Sequence, residues 1–456
     1  MARQPDINEV LNSLSKEELI RIILQAADQD EMFKNGLLVK YAQGDYSGQL
    51  QLSKKLMDSI VNRYVGRDGF IPYRETHSFA MDMLALLEGT AGAKNSILAL
   101  EIALLVLQEG VEAFQYADDS DGNIGMLVAE SLDKVDDLAS SLDGEDSSLQ
   151  ERFFDRLLTL SDSEIFEEWE DYKIELLRIC VGLAGTEQLR EQLKEKIERQ
   201  IEVCTHKKYG GYTVEALLKL LLQLIRSYGS EEEVDNFVKD HLQYTFFRQS
   251  AIEASMECGD YHHVLELAQE GERQDQQLPG LVTQWKKARY EAYKRLSLKN
   301  EQQLLARELL MGGDYAYYKD LELLAGEGKK ELYHGILAEL KNGTGWKAQG
   351  VYLKLIADKD DLEEMMAYLR TTPSAVEEYA ARLSPNYPEE IERIYRGTIY
   401  AAAESSSNRQ AYQRVCGMLT RYQTVFGKPS RDEIILQLKD QYTRRPAFLD
   451  ELSRVK

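Results

Sequence analysis

Apolar residues in this chain recur at steps of three and four. From Ile97 they fall at Leu100, Leu104, Leu107, Val111 and Phe114, a single stripe along a helix. Leu189, Leu193, Ile197 and Ile201 step by four through a charged segment. Val214, Leu217, Leu218, Leu221, Leu224 and Ile225 cover the wider arc expected of a helix wedged between neighbours. No sustained alternation of β-branched residues occurs, and no Asn-Gly hairpin joins such runs, so no strand is predicted. Of eight prolines, none lies between Pro72 and Pro279, which leaves a long stretch free for continuous helices.

The punctuation between these runs repeats. Gly44-Asp45-Tyr46, Gly259-Asp260-Tyr261 and Gly313-Asp314-Tyr315 each stand between two helical patterns. The Gly can end one helix, the Asp can cap the next, and the Tyr is expected to begin its buried stripe. Ser15 to Glu18, Ser161 to Glu164, Ser230 to Glu233 and Ser430 to Glu433 each match a capping box. Pro373 and Pro388 suit first helical positions, and Asn342-Gly343 reads as a helix end. The segments 251–271 and 306–328 both run helix, Gly-Asp-Tyr, helix, Gly, with their tripeptides 54 residues apart, a spacing that reads as TPR-like helical hairpins. The predicted fold class is all-α, an α-solenoid of TPR-like or HEAT-like helical hairpins. A length of 456 residues exceeds one compact core. Two domains are expected: an acidic helical domain over 1–240 and a TPR-like repeat domain over 241–456. Polar stretches at 140–148 and 271–279 read as loops.

Charge changes this picture. The formal net charge is −23. Glu109 to Glu175 holds 21 acids and four bases, net −17, whereas Arg393 to Lys456 holds 12 bases and six acids, net +6. The overall balance opposes direct nucleic-acid binding, which rests on Lys and Arg neutralising phosphates. The chain shows no apolar run near the length of a membrane span and no basic-then-apolar leader at its start. Its four scattered cysteines, Cys180, Cys204, Cys258 and Cys416, give no disulfide framework. A cytoplasmic protein is expected.

Chemical motifs are sparse. The six histidines provide no H-E-x-x-H, and Gly328-Lys329 and Gly427-Lys428 lack the upstream Gly and following Ser or Thr of a phosphate loop. Gly343-Thr344-Gly345-Trp346-Lys347-Ala348 fits G-x-G-x-x-A, but a helical run precedes it where a dinucleotide fold requires a strand, so a turn between helices is expected. Cys204-Thr205-His206 supplies two zinc-type ligands where four are needed. No cofactor and no catalytic residue is predicted. Two candidate interaction segments remain. In Asp118-Asp119-Ser120-Asp121-Gly122 three carboxylates approach a calcium loop, yet in that frame Ala117 and Val128 take the first and last ligand positions. The alternative is a break that ends one helix and caps another beginning near Ile124. From Trp285 to Lys299, the bases Lys286, Lys287, Arg289, Lys294 and Arg295 interleave with Tyr290 and Tyr293. That pattern can stack and neutralise a nucleic acid, or form one apolar stripe with a charged outer face.

Three stretches carry a family resemblance: Leu14-Ser15-Lys16-Glu17-Glu18-Leu19 with acidic 28–31 after it, the Asp118 to Gly122 loop, and Arg445-Pro446-Ala447-Phe448-Leu449-Asp450-Glu451-Leu452 near the end. In this order the chain resembles the helical C-terminal region of bacterial SWIM zinc-finger proteins. The family's C-x-C and later C-x-H are absent, so none of its zinc ligands transfers to a residue here. The resemblance implies a helical protein associated with DNA-related or protein-interaction roles, with an SNF2-type helicase as a partner by analogy.

The expected function is therefore a non-catalytic scaffold that mediates protein–protein interaction, since solenoids present long curved faces. The 26 tyrosines fit that reading, because Tyr offers a large amphipathic contact area. The alternative is an acidic mimic of nucleic acid that regulates a basic DNA-binding protein, motivated by the 109–175 block.

Overall fold

A computed structural model of the chain describes residues 6–89, 96–142, 147–207, 210–343 and 345–455. Thr344 and residues 143–146 of the stretch 140–148 lie outside the described residues. Twenty-five α-helices and two 3-10 turns account for most of the rest, with no strand longer than an isolated Ile71–Ala117 bridge among the described residues. The chain divides into two compact units, Met1–Ser250 and Ala251–Lys456.

The first unit contains α1 (Ile7–Ser13), α2 (Lys16–Gln29), α3 (Glu31–Tyr41), α4 (Tyr46–Tyr64), α5 (Tyr73–Glu88), α6 (Ser96–Ala113), α7 (Asn123–Ser140), α8 (Ser147–Leu160), α9 (Glu170–Leu183), α10 (Glu187–Thr205), α11 (Gly210–Tyr228), α12 (Glu231–Asp240) and the start of α13 (Thr245–Cys258). The single stripe expected from Ile97 is too narrow a description of α6. Leu98, Ala99, Ile102, Ala103 and Val106 are buried along with the stripe, because α6 packs against α4, α5, α7 and α8. Gly110 is what lets α7 approach: a Cβ there would lie 3.1 Å from Val128.

The second unit continues with α14 (Tyr261–Gln274), α15 (Pro279–Arg295), α16 (Lys299–Met311), α17 (Ala316–Ala325), α18 (Lys329–Asn342), α19 (Trp346–Asp358), α20 (Leu362–Thr371), α21 (Val376–Leu383), α22 (Pro388–Ser405), α23 (Arg409–Phe426), α24 (Lys428–Gln441) and α25 (Pro446–Ser453). Each helix packs on the next in sequence, and the remaining contacts reach only two or three helices away. That nearest-neighbour stacking is the architecture of an α-solenoid. One continuous apolar cluster runs from Tyr290 to Leu452.

The first two tripeptides punctuate as the sequence suggests, whereas in the third Tyr315 stands at the N-cap of α17 and no side-chain cap bond forms there. Asp45 accepts the Gly48 N–H at 2.9 Å and Asp260 the His263 N–H at 3.1 Å, each capping a helix. Gly259 and Gly313 have φ of +82° and +109°, backbone that favours glycine. The tyrosines are not buried, however: Tyr46 is exposed, and Tyr261 and Tyr315 are half-buried. Capping boxes form at Ser15 and Ser230. They do not form at Ser161, which bonds back to the Leu158 carbonyl, or at Ser430, which lies inside α24 and meets Glu392 at 2.7 Å. Gly271, expected to follow a helix, sits within α14, pressed on the ring of Trp285.

Candidate interaction surface

The segment from Trp285 to Lys299 is largely consumed by the stack. Trp285 is buried and its indole N–H donates to Asp275 Oδ2 at 2.7 Å. Tyr290 is buried, donates to Asp320 at 2.7 Å and accepts from Gln302 at 3.0 Å, and burial raises its phenol pKa. Lys286 pairs with Glu308 at 2.5 Å, Lys287 with Asp314 at 2.8 Å and Arg289 with Glu272 at 3.1 Å. Tyr293 is half-buried beneath the Arg289 guanidinium. Lys294 and Arg295 remain on the exposed face. The chemistry of the segment is therefore mostly internal.

The aspartate loop is also structural. Asp119 accepts the N–H groups of Ile124 at 2.7 Å and Gly125 at 3.2 Å, so its carboxylate caps α7. Asp118 accepts the Ser120 N–H at 3.1 Å and its hydroxyl, which holds the Asp118 carboxyl below its ordinary pKa. Asp121 accepts from the Tyr73 hydroxyl and raises that phenol's pKa. Among the described residues, no group of three or more His, Cys, Asp or Glu is placed to hold a metal ion. Elsewhere in the acidic block, Asp136 and Glu175 share Arg178 at 2.8 and 2.6 Å, and Glu170 pairs with Lys207. Burial pushes the Cys180 and Cys204 thiols up, and Cys416 up to about 11.

The unsatisfied surface lies at the start of the chain. Among the described residues, eleven of the 22 exposed large hydrophobic side chains fall between Ile7 and Tyr46, under a tenth of the chain. Neither α1 nor α2 buries a single residue. On α2, Ile20, Ile22, Ile23 and Leu24 are 45–59% exposed. The helix holds its form through its capping box, in which Glu18 accepts the Ser15 N–H at 2.8 Å and Ser15 Oγ accepts the Glu18 N–H at 3.2 Å. Beside it, α3, α4 and α5 enclose a cleft of about 800 Å³ lined by Phe33, Leu37, Tyr41, Leu56, Ile60 and Leu86. Asn35 ties α3 to α4, donating to Lys55 O at 3.3 Å and Ser59 Oγ at 2.6 Å. Arg63 reaches Asp30 at 3.4 Å, and Tyr64 donates to Asp82 at 2.5 Å, its phenol pushed up to about 12. The sequence does carry the signal, five aliphatic residues in six from Leu19 to Leu24. What it does not carry is whether another helix covers them.

No protein-family model matches the chain, and a comparison with curated proteins finds no match. Among solved structures, a circular tandem repeat protein with novel repeat topology and enhanced subunit contact surfaces is similar at 16% identity, over 95% of each chain, with a TM-score of 0.17. At that score the likeness carries no argument. Among the described residues, no helix is long and apolar enough to cross a membrane.

Proposed function

We propose that this protein is a non-catalytic helical scaffold that docks a protein partner on the apolar surface of α1 to α4. The clustering of exposed aliphatic side chains over 7–46 carries the reading, because soluble proteins rarely leave contiguous apolar area of this kind uncovered. The surface extends past the 800 Å³ cleft along α1 and α2, so the occupant is larger than a small molecule. A lipid surface is disfavoured by charge. Lys16–Gln29 carries two bases and three acids, 2 − 3 = −1, whereas interfacial helices are rich in Lys and Arg. An amphipathic partner helix laid into the α3–α5 cleft matches both its apolar lining and its shape. The resemblance to SWIM-associated regions gives DNA-associated machinery, an SNF2-type helicase included, as the first class of partner to examine.

The test compares the full chain with an Ile20→Ser, Ile23→Ser variant in affinity capture and mass spectrometry. Both residues are exposed, so stability should change by no more than about 0.5 kcal/mol. Proteins captured by the natural chain and lost from the variant support the proposal. An unchanged captured set overturns it.

A further inference from the structure

A second surface lies far along the chain from the first. Trp346 opens α19 and is 79% exposed, the most exposed aromatic ring among the described residues after Tyr212. It stands at the border of two clefts. One, of about 640 Å³, lies between the Gly312-to-Ala316 turn and the first two turns of α19. The other, of about 680 Å³, lies between the start of α19 and α20. The turn lining the first cleft is the third copy of the repeated tripeptide.

The charge of the first cleft differs from that of the chain around it. Lys347 and Lys354 both line it, one on each side of Gly350. They are seven residues apart, so they share a face of α19 about 10 Å apart along its axis. Neither has a carboxylate partner among the described residues; Lys347 lies 5.7 Å from the Trp346 ring. The nearby carboxylates are taken: Asp314 pairs with Lys287 at 2.8 Å, and Asp358 accepts the Tyr315 hydroxyl at 3.1 Å. Two exposed lysines without a carboxylate partner and an exposed Trp therefore share the lining of one cleft. A Cβ at Gly350 would meet nothing within 4 Å, which leaves the floor between the lysines open.

We infer that this cleft binds an acidic peptide segment of a protein partner. Lys347 and Lys354 take its carboxylates, and Trp346 anchors an adjacent apolar side chain, the role in which exposed Trp most often carries binding energy. Aromatic rings and lysines also serve single-stranded nucleic acid. Here two cations are few to neutralise the continuous phosphate charge of a nucleic-acid strand, and they suffice for the spaced carboxylates of a short peptide.

The experiment uses the full chain and a fluorescein-labelled peptide repeating Glu-Glu-Leu, with a Lys-Lys-Leu peptide and an oligothymidylate as comparisons. Anisotropy should show binding of the acidic peptide alone, weakening as salt rises. The Lys347→Glu, Lys354→Glu variant should weaken it roughly tenfold, and Trp346→Ala should weaken it several-fold. Bound peptide should also shield Trp346 from acrylamide quenching, against a background from Trp285, which is buried, and Trp169, which is stacked on Phe114. No binding of the acidic peptide, equal or better binding of either comparison ligand, or affinity unchanged by the lysine reversals would overturn the inference. These outcomes leave the α1–α4 surface untouched, so the two proposals stand or fall separately.

Discussion

Tyrosine spends its hydroxyl inside the second unit. Tyr290 donates to Asp320, Tyr315 to Asp358, Tyr333 to Asp361, Tyr352 to Glu364, Tyr395 to Glu377 and Tyr422 to Glu392, at 2.5 to 3.2 Å. Each phenol contributes ring area to the core and ties its tip to a carboxylate on another helix. Burial and the neighbouring carboxylates raise these phenol pKa values, Tyr422 to about 12, so the hydroxyls stay protonated donors near neutrality. The abundance of Tyr was legible in the sequence. Its use was not, because a side chain that can face either a partner or a neighbouring helix does not say which. The first unit holds a contrasting case in Glu109, which accepts from Tyr116. Desolvation lifts its pKa above the ordinary 4.5 despite that bond, with Glu112 and Asp58 adding to the lift. The folded state then binds more proton than the unfolded state above pH 4.5, and stability from this group is lost as pH rises through the folded pKa. Urea unfolding of Glu109→Gln across this range should show the variant gaining on the natural chain as pH rises. A constant difference would remove the assignment.

Individual elements were more legible than individual side chains. Local signals placed α6, α10 and α11 and the caps at Asp45, Asp119 and Asp260, because a cap involves residues two to six apart. Long-range facts were hidden. Gly271 looks like a terminator by composition, yet it lies within α14, where a Cβ would come within 2.9 Å of the Trp285 ring. The glycine is there for close approach. Gly271→Ala should cost about 1–3 kcal/mol by overpacking, although Ala is the better helix former. Thermal unfolding decides between the two effects: a raised midpoint would mean that α14 and α15 can part without loss. The same limit explains α2, whose capping box was visible and whose lack of a covering helix was not.

Across the molecule, the charge asymmetry of the sequence resolves into ties between helices. Arg370 holds Glu390 through two bonds of 2.9 Å, Arg421 holds Glu377 at 2.9 and 3.0 Å, and Arg409 reaches Glu451 at 2.6 Å and Asp450 at 2.7 Å. Part of the basic tail is thus already neutralised. In a stack with only near-neighbour contacts, damage should stay local. Phe448 of α25 is fully buried, its ring 4.8 Å from Tyr412 and 5.7 Å from Tyr442. Phe448→Ala should cost about 3–5 kcal/mol and speed amide hydrogen exchange in α23 to α25 while α15 to α18 keep their protection. Uniform loss of protection throughout the second unit would show a single cooperative core instead.

The bare flanks of α1 and α2 carry a thermodynamic corollary. A fourteen-residue helix without tertiary burial is marginal in water, so its coil population competes with any guest. Association at this end and the helix–coil balance of Lys16–Gln29 form one linked equilibrium, and the strength of attachment is set as much by backbone propensity as by the side chains that touch.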